Sequence, residues 1–167
     1  MHPTNENIPS IHEVIDTHYQ SVYRFAFRLS GSASDADDLT QQTFLQACRK
    51  LDQLRDEQRI RSWLLTITRN TYLKGVQRDR LIDAELDDDL VVDEESTSGL
   101  DFDEERLHFA LSELPDSHRI PLLMFYFEEL SYKEIAEQLE LPIGTVMSRL
   151  ARAKRQLRES LATVEFP

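Results

Sequence analysis

This chain has little of what disulfide-stapled domains, zinc modules and most enzymes are built from. Its single cysteine, Cys48, forbids an intramolecular disulfide and a zinc site of the multi-cysteine kind. Only four glycines are present, and they form neither a Gly-rich phosphate loop nor a nucleophile elbow. The five histidines, His2, His12, His18, His108 and His118, fall at no metal-ligand spacing. No apolar run approaches the roughly 20 residues needed to span a bilayer, and nothing near the N-terminus resembles a signal peptide. The expectation is a soluble, cytoplasmic protein without membrane insertion that is not an enzyme: no catalytic residue, no cofactor and no metal.

Basic residues are also in short supply, 19 against 31 acidic, and a net charge of −12 would ordinarily argue against nucleic acid as a partner. The distribution answers that objection. Residues 81–105 contain twelve of the acidic residues and none of the basic ones, so the whole imbalance lies in one segment. That segment also carries Ser96-Thr97-Ser98-Gly99 and few large apolar side chains, too little to offset the entropy of ordering. It is expected to be a flexible acidic linker between two small helical domains, 1–80 and 106–167. Carboxylates held on such a tether cannot form the rigid pair that acid–base catalysis needs.

Helical periodicity accounts for what remains, and the predicted fold is all-α. In the first domain a helix near 11–29 buries Val14, Ile15, Val22, Phe25, Ala26 and Leu29, ending at Ser30-Gly31. A second begins at Ser34 as its N-cap, with Asp35, Asp37 and Asp38 in the first turn and a stripe of Ala36, Leu39, Thr43, Ala47 and Leu51. A third, about 57–80, packs through Ile60, Trp63, Leu64, Ile67 and Thr71. In the second domain, scaffold helices near 103–113 and 116–128 precede a helix, a tight turn and a basic helix. Ser131 with Glu134 reads as a capping box, and Pro142 suits the first turn of the last helix. On that helix Val146, Leu150, Ala153, Leu157 and Leu161 share one face, while Ser148, Ala151, Arg152 and Arg155 point away. Five of the residues from 149 to 158 are basic and none is acidic, the charge pattern of a helix that enters a DNA major groove.

The run Gly144-Thr145-Val146-Met147-Ser148-Arg149-Leu150-Ala151-Arg152-Ala153-Lys154 resembles the recognition helix in region 4 of extracytoplasmic-function sigma factors, a branch of the sigma-70 family. Leu111-Ser112-Glu113-Leu114-Pro115 and Ser131-Tyr132-Lys133-Glu134-Ile135-Ala136 are similar to the same domain. Independently, Asp35-Ala36-Asp37-Asp38-Leu39-Thr40-Gln41-Gln42-Thr43-Phe44-Leu45 and Trp63-Leu64-Leu65-Thr66-Ile67-Thr68-Arg69-Asn70 resemble region 2. The resemblance implies a factor that directs core RNA polymerase to promoters and assists their melting. The alternative is a mimic that sequesters an anti-sigma protein and never engages promoters.

Carried over position by position, the resemblance implies three sets of contacts. Asp38, Gln41 and Gln42 would dock on the clamp helices of the largest polymerase subunit. Leu54, Arg61, Arg69, Asn70, Lys74 and Arg78 would meet the minus 10 element, where cations follow phosphates and an amide reads an unpaired base. The loop from Gln53 to Glu57 would rim that pocket. Met147, Ser148, Arg149, Ala151, Arg152 and Arg155 would meet the minus 35 element, with Arg152 reading a base and Arg149, Lys154, Arg155 and Arg158 on phosphates. Core RNA polymerase and promoter DNA are thus the implied partners, with an anti-sigma factor a further one. The acidic linker would run through the polymerase's RNA path, or serve as a solvated spacer.

Overall fold

The computed structural model describes residues 8–76 and 103–163, and every regular element among them is helical. The chain divides into two compact units, Met1–Val76 and Gln77–Pro167. The linker expected at 81–105 lies outside the described residues up to position 102. Its last two residues are helical: α4 begins at Glu104, with the Asp103 side chain accepting a hydrogen bond from the Glu105 amide. Glu104 and Glu105 fall in the first turn, where acidic side chains complement the helix dipole, so the end of the acidic run starts the second unit.

The first unit is three packed helices, α1 (Ile11–Ser30), α2 (Ala33–Lys50) and α3 (Ile60–Gly75). A capping box of Ser10 and Glu13 opens α1, and Gly31 closes it at φ 73°, a left-handed conformation that favours glycine. The chain then turns at once, because Ser32 is extended and its Oγ accepts a hydrogen bond from the Asp35 amide at 3.3 Å. The cap of α2 is therefore Ser32 and not Ser34, which lies inside the helix. Leu51–Gln53 and Glu57–Arg59 form 3-10 turns, so α3 starts three residues later than the periodicity predicts and ends at Gly75.

Val14, Val22, Phe44, Ala47, Ile60, Leu64 and Ile67 build the core of this unit, with Trp63 packed against it. Inside it, α2 and α3 are tied by polar contacts as well. Thr43 and Thr68 lie 3.1 Å apart through their hydroxyls, and Thr68 Oγ1 donates to the Leu64 carbonyl at 2.8 Å. Nearby, Gln46 Nε2 donates to Thr71 Oγ1 at 2.9 Å. Buried hydroxyls satisfied in this way fix the register of two helices that apolar packing alone would allow to slide.

In the second unit α4 (Glu104–Ser112) and α5 (Asp116–Tyr126) pack on the last helix, α7 (Ile143–Thr163). Arg119 closes the turn between α4 and α5, donating to the Leu114 carbonyl and forming an ion pair with Asp116. The short α6 (Tyr132–Leu139) opens with the predicted capping box: the Glu134 amide donates to Ser131 Oγ, and the Ser131 amide to Glu134 Oε2. Glu140 then adopts φ 55°, ψ 44°, turning the chain into Pro142, whose carbonyl accepts from the Thr145 and Val146 amides. Ile135 from α6 and Val146, Leu150 and Ala153 from α7 are buried together, as their spacing requires.

Candidate nucleic-acid interface

Three exposed faces carry the predicted contact residues, and they differ in how far the structure assembles each set. On α7, Ser148, Ala151 and Arg152 are partly exposed and Arg155 is exposed, all on the side away from the buried stripe, while the partly exposed Met147 lies on its flank. Ser148 Oγ donates to the Thr145 carbonyl at 3.0 Å, so its hydroxyl is held against the helix. Arg149 departs from expectation. It is only 5% exposed, because at about 100° per residue it falls on the flank of the stripe beside Ala153 rather than on the outer face. In this conformation it makes no direct surface contact. Lys154 also turns inward, its ammonium lying 5.2 Å from the centre of the Phe125 ring and 5.8 Å from that of Tyr126.

On α3 the predicted minus 10 set is divided. Asn70 and Lys74 are exposed and one turn apart. Arg61 is exposed too, but nine residues from Asn70 it lies half a turn out of phase, close enough to His18 of α1 to lower that imidazole's proton affinity, a lesser effect than burial. Arg69 is corrected outright: it is 1% exposed, locked between helices. Its Nη1 donates to Asn70 Oδ1 at 3.2 Å, which orients the Asn70 amide instead of reaching a phosphate. Leu54, expected on the pocket rim, is 8% exposed and belongs to the core cluster with Val14, Val22, Phe44, Ile60 and Leu64; the exposed Gln53 and Arg55 flank it. Arg78 lies outside the described residues.

The α2 set is the one brought together whole. Asp38, Gln41 and Gln42 share an exposed face. Leu45, 60% exposed, sits one turn on from Gln41 and Gln42 at the centre of this polar surface. A leucine outside the stripe of Ala36, Leu39, Thr43 and Ala47 is a signal of contact surface that the sequence alone carries. His118 Nδ1 and Gln156 Oε1 lie 3.1 Å apart, a pairing that nothing in the spacing of two distant residues reveals.

No group of His, Cys, Asp and Glu suited to a metal occurs among the described residues, and no described helix is long and apolar enough to cross a membrane. What the exposed faces offer is positive charge and amide donors on α7 and α3, and a polar surface with an apolar centre on α2. These arrangements suit nucleic-acid and protein contacts respectively.

Comparison with known proteins gives a consistent result over both units. The family described as Sigma-70 region 2 matches residues 14–81, and that described as Sigma-70, region 4 matches residues 104–157. An extracytoplasmic-function RNA polymerase sigma factor, SigE of Mycolicibacterium smegmatis, is 37% identical over 93% of this chain, which spans 63% of that relative's length. EcfG of Rhodopseudomonas palustris, another such factor, is 33% identical over 82% of this chain and 77% of its own. SigW of Bacillus subtilis is 26% identical over 89% and 87% respectively. Among solved structures, the sigma factor RpoE bound to the anti-sigma factor NepR of Bartonella quintana has the same fold, with a TM-score of 0.62 and 24% identity over 91% of this chain and 96% of its own. CnrH in complex with the cytosolic domain of CnrY gives 0.55 and 22% over 91% and 87%.

Proposed function

The chain belongs to the extracytoplasmic-function sigma factors of the sigma-70 family, and on that premise we propose that it converts core RNA polymerase into a promoter-selective holoenzyme in the cytoplasm. It acts as an initiation factor and not as a catalyst. The observation that carries this reading is the pairing in one chain of an exposed Asp38/Gln41/Gln42 face with an α7 whose outer side presents Ser148, Arg152 and Arg155. One face serves polymerase and the other DNA.

In this mechanism α2 docks on the polymerase clamp through Asp38, Gln41 and Gln42, with Leu45 as the apolar centre that polar rims commonly enclose. α7 enters the upstream major groove. Arg152 reads a base there, and Arg155 and Arg158 neutralise phosphates. Downstream, Asn70 and Lys74 meet the melted strand. Arg69 holds the Asn70 carbonyl oxygen inward and leaves the amide donors outward, so an unpaired base meets a fixed donor rather than a rotating one. The domain assignment is then 1–80 for polymerase and the minus 10 element, the acidic run before α4 as linker, and α4 onward, from Glu104, for the minus 35 element. An anti-sigma factor would compete for these surfaces.

The test is transcription in vitro with purified cognate core polymerase and a library of genomic fragments. Initiation from a defined subset, lost in a variant carrying Asp38→Ala and Gln41→Ala, is the expected result. Failure to initiate from any fragment, together with tight binding of an anti-sigma protein, would identify a sequestering mimic instead.

A further inference from the structure

The accessible side of α7 carries more than cations. Ile143, Met147 and Ala151 recur at every fourth residue, and at about 100° per residue they form an oblique apolar strip that climbs from the first turn of the helix towards its outer face. Ile143 is 50% exposed, a large apolar side chain left open to water, and Met147 and Ala151 are partly exposed. The strip runs alongside the buried stripe of Val146, Leu150 and Ala153 without being part of it. Beside Ile143, a Cβ added to Gly144 would meet nothing within 4 Å, so the space over this turn is open.

The polar groups that border this strip are committed elsewhere. Ser148 Oγ donates to the Thr145 carbonyl, so its proton is spent within the helix. Lys154, seven residues on from Met147 and about 20° away around the helix, holds its ammonium over the Phe125 and Tyr126 rings. Arg152 stands five residues on from Met147, about 140° round and about 7.5 Å along the axis, and therefore meets a different base pair. What Ile143, Met147 and Ala151 present to a groove is methyl, methylene and thioether groups, with no side-chain donor among them.

Of the four bases, only thymine offers the major groove an apolar group, its C5 methyl. The other base edges carry donors and acceptors that an apolar side chain would strip of water without replacing. We propose that Met147, flanked by Ile143 and Ala151, selects a thymine in the upstream element by packing against that methyl, at a different base pair from the one Arg152 reads. The inference rests on entry of α7 into the upstream groove and adds the identity of one base to it. Methionine suits the task, because an unbranched side chain with a polarizable sulfur closes on a small apolar group without needing one fixed rotamer. Selection here comes from water excluded between apolar surfaces and not from a hydrogen bond.

The experiment selects promoters with the full-length holoenzyme from a library randomised over the upstream element. Each thymine of the selected sequence is then replaced singly by deoxyuridine, which removes the methyl and keeps the O4 acceptor. Wild type should lose about fourfold in affinity at one position, the worth of one buried methyl group. At that position 5-methylcytosine should bind better than cytosine, since it restores the methyl alone. In Met147→Ala the same deoxyuridine should cost less than about twofold, whereas Met147→Leu should keep the wild-type loss. A selected element without thymine, tolerance of deoxyuridine at every position by wild type, or an undiminished deoxyuridine penalty in Met147→Ala would overturn the methyl contact, while the upstream preference itself would uphold entry of α7 into the groove. A library that yields no upstream preference at all would remove that entry and the thymine contact with it.

Discussion

Replacing Ser131 by Ala tests whether the entry to the recognition helix depends on one cap. α6 has eight residues, too few to be stable by propensity, so its start must be held by the capping box and its apolar face. Ala removes the acceptor of the Glu134 amide, now 3.2 Å from Ser131 Oγ, but keeps the backbone amide that donates to Glu134 Oε2 at 2.7 Å. Both groups are exposed, so the released amide returns to water and no burial penalty is added. The expected loss is about 1 kcal/mol, roughly fivefold in the folded-to-unfolded ratio of the second unit. The chain provides its own control. Ser10 and Glu13 form the same box at α1, with distances of 3.3 and 2.7 Å, in the unit that holds the one tryptophan, Trp63. In urea melts of the full chain, Ser131→Ala should shift the far-ultraviolet circular dichroism transition and leave tryptophan fluorescence unmoved. Ser10→Ala should move the fluorescence transition by a similar amount. If Ser131→Ala changes neither signal, or destabilises by several times this estimate, the cap is not what holds α6 and the reasoning fails.

Arg152→Ala should relax preference at one upstream base by about 1–3 kcal/mol, whereas Arg158→Ala should weaken all promoters alike and lower the salt slope by about one; equal losses on matched and mismatched elements for the first variant would withdraw its reading role. Glu140→Gly should stabilise the second unit by about 0.5 kcal/mol, since the strain of a left-handed non-glycine exceeds the entropy that glycine loses, and a lowered melting temperature would contradict this. His18 and His118 both have depressed proton affinities in the folded chain, so without DNA the stability they contribute is complete above about pH 6.5 and declines as pH falls below it towards their folded values. Melts in which stability instead rises through that window would reverse the assignment. Acidification below the ordinary glutamate range should also weaken α1, because the Glu13 carboxylate is stabilised first by the Ser10 amide and then by its hydroxyl, and amide exchange in the first turn of α1 would report it.

The order of the helices, their buried stripes, the capping box of α6 and the turn before α7 were all legible in the linear sequence. Each is a local property: period, cap and turn chemistry act within a few residues, and Ile135, Val146, Leu150 and Ala153 are buried where spacing alone places them. The family was legible for the same reason, since its motifs are continuous runs. Boundaries depend on the neighbouring element as well: α2 is capped by Ser32 and not by Ser34, because Gly31 ends α1 in a left-handed turn and the next helix starts at Ala33.

What only the tertiary structure decided was the direction and company of individual polar side chains. Arg69 and Arg149 read as surface cations in a basic stretch, yet each lies on a flank that a neighbouring helix covers. Leu54, in a loop that reads as exposed, fills the core because the two 3-10 turns beside it point the chain inward. Arg61 and Asn70 share one helix but not one face. His118 and Gln156, 38 residues apart, become neighbours only when α5 packs on α7. Periodicity says which side of a helix is apolar, because burial of that side is a sum over many residues. It does not say which partner covers the edge of the stripe, and a charge at that edge is buried or exposed according to the helix that lies against it.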